Sequence, residues 1–467
     1  MKPVRWAAAA IAAAASLAFL AAGGSTPAPD RRPPRALSGH YEIRLAGSVI
    51  GRMTLGRRPI EGGYLFSDTG ELVLSLGGKV SRLRIGNQCR TDRRIRVKSF
   101  SYTLSGDGQR HLVTGRVEGR RLIVTYRLNQ ATGTRTYNLA GPLLVSPMAT
   151  LYFRRQAEAG RKKITGYVFE PPTLTLSPYS AAFRMIDRGG QRLLAADVTR
   201  RLTLIKLEID PRGLLITQDG PMGQKVSRVK GSARGPLKPA VDLYRALSIK
   251  VTGAIPPPVA RLTRLQVRLE GIRLTGLALA GAGQALDGRV LTVTVAPGGL
   301  TDYRLPARGQ ARWLRSSSFI QTDHPLIKKQ ARAILGGATQ AIQAAQRIYE
   351  WVFRNVIKLP VGPTPDAVSV LKDKRGDCNE HAVLFTALAR AVGLPARVAV
   401  GLVLQEGRFL YHAWAEVWLG RWVAVDPTWH QFPADAGHIR LVYGLNQGVL
   451  DLESVVGRLK IHILAWK

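Results

Sequence analysis

The chain has 467 residues, enough for two or three domains, and its 45% hydrophobic content is that of a folded protein with a sizeable core, which excludes a disordered chain. Its formal net charge of +37 and pI near 11.1 would draw it to anionic surfaces such as lipopolysaccharide, anionic lipid or acidic wall polymers. The basic residues are spread along the whole chain, and no helix-turn-helix, zinc finger or aromatic-interleaved basic motif is present, so nucleic acid is not an expected partner.

Lys2 and Arg5 precede an apolar run over 6–22 and then small residues, the layout of a secretory signal. Residues 1–24 are therefore expected to be a signal peptide or N-terminal anchor, and the protein to be secreted or periplasmic. The run is near the lower limit for spanning a bilayer, so a tether to the inner membrane is the alternative to a soluble exported form. Residues 25–38 include PAPDRRPP at 27–34, a proline-rich linker of extended character.

From His40 the chain reads as short β runs broken by glycines. Arg94, Arg96 and Lys98 alternate with Ile95 and Val97, the pattern of a half-buried antiparallel sheet with one solvated face. A helix is expected within 141–160, where Leu143, Leu144, Met148, Leu151 and Tyr152 are apolar, after which strands resume. Residues 39–235 are read as one β-rich domain. Residues 236–315 open on a proline-rich boundary with a short helix at 241–247, then carry a smaller β layer expected to pack the two larger parts together. Cys89, in the β-rich region, reads as a partly buried small residue rather than a disulfide partner of Cys378, the only other cysteine.

Residues 316–467 are the expected catalytic domain. Pro325 suits a first helical turn, a second helix over 339–356 has Ile342, Ile348, Tyr349, Val352 and Val356 at helical spacing, and Asp366 starts a third. Gly376-Asp377 then leads into Cys378 and a helical run, 380–392, that stops at Gly393 and Pro395. A thiol at a helix N-terminus is stabilised as thiolate, so Cys378 is expected to have a lowered pKa and to act as nucleophile. Two β runs, 409–419 and 421–426, form a hairpin about Gly420. The expected register pairs His412 with Asp426 on one face, with Cβ atoms roughly 4.5–5.5 Å apart. His412 would then take the thiol proton and Asp426 would orient the imidazole. The backbone N–H of Cys378 is one natural oxyanion donor. Trp414 and Trp418 share the His412 face and wall the cleft.

Four phrases in order, GDCNEHA, LARAVGLPARV, YHAWAEVW and WVAVDPTW, make 316–444 resemble the transglutaminase-like superfamily. The resemblance implies a papain-like α+β core with a Cys-His-Asp triad, here Cys378, His412 and Asp426. It implies a family of protein cross-linkers, peptidases, amidases and inactive forms. Where cross-linking animal enzymes usually carry an aromatic residue after the cysteine, this chain has Asn379, as in many bacterial members. The expected fold is thus an N-terminal antiparallel β-rich region followed by a papain-like transglutaminase core.

The expected function is thiol-dependent chemistry on a protein, peptide or cell-wall amide, as peptidase, amidase or acyl transferase through a thioester. The alternative is a catalytically silent envelope binding or assembly scaffold with a basic surface. A metal reading would join Cys378, His381 and His412, or add His430 and His438. With one cysteine there and no CxxC or HExxH spacing, neither a metal nor any other cofactor is expected.

Overall fold

The structure, a computed structural model, describes residues 36–467 except 46, 77–78, 107–108, 130, 201–202, 232–236, 238–247, 258–260, 296–297, 359–365, 445–454 and 456. The expected signal segment, most of the proline-rich linker and the short helix at 241–247 lie outside the described residues. Among the described residues no helix is long and apolar enough to cross a membrane. The chain divides near residue 243 into two compact units.

The first unit is built on one continuous sheet. Strands β1 (Leu37–Leu45), β2 (Ser48–Ile60), β3 (Gly63–Leu76), β4 (Lys79–Asp92), β5 (Val97–Gly106), β6 (Gln109–Glu118), β7 (Arg121–Leu128) and β8 (Ala131–Asn138) each pair antiparallel with the next. A second run follows: β9 (Leu143–Leu144), β10 (Lys163–Glu170), β11 (Thr175–Arg188), β12 (Gln191–Arg200), β13 (Thr203–Ile209), β14 (Leu215–Asp219) and β15 (Lys225–Val229). It joins the first where β15 pairs antiparallel with β1, and among the described strands of this unit only β9 runs parallel to its neighbour, β10. Consecutive strands pair because alternating apolar residues give each a buried face and short turns return the chain at once.

Two local expectations change here. Arg94 and Arg96 are not strand residues: Asp92 Oδ1 accepts from the N–H of both, at 2.9 Å each, and folds them into the β4–β5 turn. The helix expected within 141–160 is confined to α1 (Ala149–Glu158), since Leu143 and Leu144 are taken by the sheet. Buried Leu151, Tyr152 and Phe153 seat α1, with the Phe153 and Phe183 rings 5.2 Å apart, edge to face. Cys89 is fully buried on β4, and both cysteines are free.

The second unit is an α+β core. Helices α2 (Pro325–Leu335), α3 (Ala341–Asn355), α4 (Ala367–Asp373) and α5 (Cys378–Ala391) precede the strands that carry the site. Side chains cap the N-termini of α2 and α4: His324 Nδ1 accepts from Leu326 N at 3.2 Å, and Asp366 accepts from Ser369 N at 3.0 Å. On α3, Ile348, Tyr349 and Val352 are buried as their spacing predicted.

The strands are β16 (Ile249–Gly253), β17 (Arg264–Glu270), β18 (Gln284–Asp287), β19 (Val290–Thr294), β20 (Ile357–Lys358), β21 (Arg375–Gly376), β22 (Ala396–Gln405), β23 (Arg408–Trp418), β24 (Trp422–Val425), β25 (His438–Tyr443) and β26 (Lys460–Trp466). Nine of these form one sheet in the order β18, β19, β17, β26, β16, β23, β22, β25, with β24 added on β23, while β20 and β21 pair by themselves. The strands at 249–294 are therefore hydrogen-bonded into the C-terminal sheet rather than forming a layer of their own. The last strand, β26, inserts between β17 and β16.

One feature of this topology positions the site. β23 pairs with β16 only at 408–409 and with β24 only at 415–418, so residues 410–414 have no strand on that edge among the described residues. The start of α5 meets the sheet at this gap, where the Ala413 backbone hydrogen-bonds the Cys378 sulfur.

Candidate active site

Cys378 is the first residue of α5, so its N–H has no acceptor within the helix. The turn is held by a capping box: Asp377 accepts from Asn379 N at 3.1 Å, and Glu380 Oε2 accepts from Asp377 N at 2.8 Å. Gly376 is required by close approach, because a methyl there would overlap the Glu380 side chain. Glu380 is fully buried, and burial together with the Asp377 carboxylate pushes its pKa well above the ordinary value. It caps this turn.

The thiol behaves oppositely to the sequence expectation. Cys378 is fully buried, and burial, then the Asp377 carboxylate, push its pKa well up, while the Ala413 hydrogen bond works the other way. A helix N-terminus favours thiolate, but loss of hydration costs the charged form more here. The resting thiol is neutral.

Asp426 reaches His412 by a register two residues from the expected one. Trp418 pairs with Trp422 and Ala415 with Val425, so the hairpin is centred on Gly420, which takes φ +77°. Asp426 thus lies one step past the strand end, diagonal to His412. A shift of two preserves the face, whereas a shift of one would have reversed it. His412 Nε2 donates to Asp426 Oδ2 at 2.6 Å, with both side chains excluded from solvent. That tautomer leaves Nδ1 as the ring nitrogen able to accept a proton.

Asp426 is also clamped by its own loop. Asp426 N and Gln431 O are 2.9 Å apart, Gln431 N and Asp426 O 3.0 Å, and Asp426 Oδ1 accepts from Thr428 N at 2.8 Å and Trp429 N at 3.2 Å. Burial alone would raise this carboxyl, but His412 and His438 hold it well below the usual carboxylate range. It stays ionised.

Around this core the side chains are aromatic. Trp414 is buried and stacks near His412 at 6.2 Å between ring centroids, and Trp429 lies 5.1 Å from the same ring. Trp418 instead packs on Trp422 at 5.5 Å, further along the strand. His381 is tied to backbone, with Nδ1 2.6 Å from Asp377 O and Nε2 3.2 Å from Val356 O. His430 stacks on Phe353 at 4.0 Å and contacts Glu350 Oε1 at 2.9 Å.

His438 has a place that sequence reasoning considered only as a metal ligand. Its Nε2 lies 3.2 Å from Asp426 Oδ2 and its Nδ1 3.1 Å from Asp435 Oδ1. His412, Asp426 and His438 bring ligand atoms within 4.8 Å of one another. Hydrogen bonding accounts for that closeness, because both Nε2 atoms point at the same carboxylate oxygen. The one sequence signal for His438 is the Asp435-x-x-His438 spacing, which says nothing of Asp426.

Residues 328–427 match the transglutaminase-like superfamily. No curated protein matches the chain. Among solved structures, a candidate cysteine protease from Cytophaga hutchinsonii shares 16% identity over 46% of this chain and 82% of its own, with a TM-score of 0.29. A DUF1089 family protein from Pseudomonas aeruginosa shares 12% identity over 43% of this chain and 97% of its own, at a TM-score of 0.21. A candidate protease from Parabacteroides distasonis shares 10% over 68% and 64%, at 0.19. Residues 328–427 are thus a transglutaminase-like superfamily domain, and Cys378, His412 and Asp426 all fall within it.

Proposed function

We propose that this protein is an exported thiol enzyme acting on amide or peptide acyl groups through a thioester at Cys378. The observation that carries the reading is the 2.6 Å His412–Asp426 hydrogen bond, buried beside the strand edge that the Cys378 sulfur meets. An ionised, fully bonded carboxylate holds the imidazole in the tautomer whose Nδ1 can take a proton.

Because burial keeps the thiol neutral, its proton passes to His412 Nδ1 as the sulfur attacks the carbonyl carbon, not before. The Cys378 N–H faces the start of α5 and would stabilise the oxyanion of the tetrahedral intermediate. Collapse breaks the C–N bond, and the departing amine takes the proton from His412. Water or a second amine then attacks the thioester with His412 as base, releasing acid or new amide and restoring the thiol. The substrate class is a protein, peptide or cell-wall amide, and the +37 charge favours an anionic envelope surface as the place of action.

The test is a screen of peptide amides, with and without added amine, comparing wild type with Cys378→Ala and His412→Ala. Each variant is expected to lose roughly 10³-fold or more of kcat on any responsive substrate. Turnover that survives Cys378→Ala on every such substrate sinks the proposal.

A second reading, a catalytically silent envelope scaffold, draws on one observation: the thiol is fully buried with its pKa pushed up. It predicts full rescue of a deletion strain by Cys378→Ala.

A further inference from the structure

We propose that His438 is a positioning residue of this site, an imidazolium held between Asp435 and Asp426 that fixes the carboxylate orienting His412. The proposal rests on the catalytic reading of Cys378, His412 and Asp426. Its geometric basis does not.

The protonation state follows from the partners. His438 Nε2 faces Asp426 Oδ2 at 3.2 Å, and Nδ1 faces Asp435 Oδ1 at 3.1 Å and the Asp435 carbonyl at 3.3 Å. None of these oxygens has a proton to give when the carboxyls are ionised, so both ring nitrogens must carry one. Each carboxylate is held ionised by further donors: Asp435 Oδ1 accepts from Gly437 N at 2.9 Å and Oδ2 from Gln431 Nε2 at 3.1 Å. Burial would lower the His438 pKa, but the Asp426 and Asp435 bonds carry it up to about 9.

The network closes on itself. Asp435 N donates to Gln431 Oε1 at 2.9 Å, and Gln431 is bridged through its backbone to Asp426. Asp426, Gln431, Asp435 and His438 therefore form a ring of hydrogen bonds that ends on the carboxylate oxygen used by His412. The His438 side chain is 2% exposed and that of Asp426 0%, so the bond between them is shielded from bulk solvent in the folded protein.

The charges alternate along this line. With His412 neutral, Asp435, His438 and Asp426 sum to one negative charge, and protonation of His412 during acyl transfer brings the cluster to neutrality. The other charged groups around His438 are the Glu416–Arg440 ion pair and, lining the same cavity of about 700 Å³, Arg264, Arg421 and Lys467. The Trp414 and Trp429 rings also flank His438, at 5.2 and 6.3 Å between centroids.

The test needs no substrate. In the full chain labelled with ¹⁵N-histidine, the His438 signals are those lost in His438→Gln. They are expected to show both ring nitrogens protonated at pH 7, and the low-field His412 Nε2 proton is expected to shift or broaden in the variant. A singly protonated His438 at pH 7, or a His412 proton unmoved in His438→Gln, overturns the proposal. The protonation state is read in the wild-type protein, the variant serving only to assign the signals; where His438→Gln folds poorly, His438→Asn serves for the assignment. On a responsive substrate, His438→Gln should lower kcat at least tenfold with KM changed less than threefold, and His438→Ala, which removes the N–H donor as well as the charge, should lower kcat further. An unchanged kcat in His438→Gln overturns the positioning role. Turnover surviving Cys378→Ala would instead sink the catalytic reading and leave the ¹⁵N result to judge the clamp.

Discussion

At the scale of single residues, the site shows burial overriding local electrostatics. Cys378 has the helix start that should favour thiolate, yet its complete burial reverses the direction. His438 is equally buried, but two carboxylates more than offset the cost. Its folded value of about 9 lies above the roughly 6.5 of a free imidazole, so the folded state holds this proton more tightly. The stability it contributes is full below about pH 6.5 and is lost as pH rises through 9. The difference corresponds to roughly 3 kcal/mol. Urea unfolding at pH 6, 8 and 9.5 should show wild type losing stability across this window and His438→Gln losing less. Parallel slopes in the two proteins would contradict the assignment.

Among the elements, the strand that carries His412 is anchored by a buried ion cluster at Glu416, four residues further along the same strand. Glu416 accepts from Arg440 Nη1 at 2.8 Å and from Arg397 Nε at 2.8 Å, and the Arg397 guanidinium lies 3.8 Å from the Trp422 ring centroid and 3.9 Å from that of Tyr443. Glu416 and His412 share a face of β23, so the cluster fixes the same surface that presents the imidazole. Removing the carboxylate leaves two buried guanidinium groups short of their counter-charge. Glu416→Ala is expected to cost about 3–5 kcal/mol by chemical denaturation, and Glu416→Gln less because it keeps an acceptor. A loss below about 1 kcal/mol in Glu416→Ala would show that the arginines are satisfied by their other partners, which for Arg440 include the carbonyls of Ala278, Ala280 and Gly281.

On the scale of the whole molecule, no strand of the fifteen-stranded sheet pairs with the nine-stranded one among the described residues. Each sheet has its own buried side chains, and the C-terminal sheet is completed by strands at 249–294 from before the transglutaminase-like stretch and by β26 after it. A fragment beginning at 248 is therefore expected to fold by itself, with the near-UV circular dichroism of its tryptophans retained. One beginning at 316, where the resemblance to the family begins, removes β16 to β19 and should be insoluble or molten. Equal folding of the two fragments would show that the added strands are dispensable.

The sequence alone determined what short-range chemistry controls. Asp377 and Glu380 specify the helix start and so the place of Cys378, and alternating apolar residues specify the consecutive antiparallel strands of the first unit. The four family phrases located a transglutaminase-like domain that the family match places at 328–427. What only the tertiary structure decided rests on groups distant in sequence or on collective exclusion of water. The hairpin register moved by two residues because the strands pair symmetrically about Gly420 rather than about Leu419, the midpoint of the expected His412–Asp426 pairing, while the face survived because strand side chains repeat every two. His438 reached Asp426 through a loop whose closure depends on Gln431 and Asp435, and β26 reached β17 across nearly two hundred residues. The direction of the Cys378 shift could not be read from its helix position, because hydration is lost only when the whole core closes over the thiol.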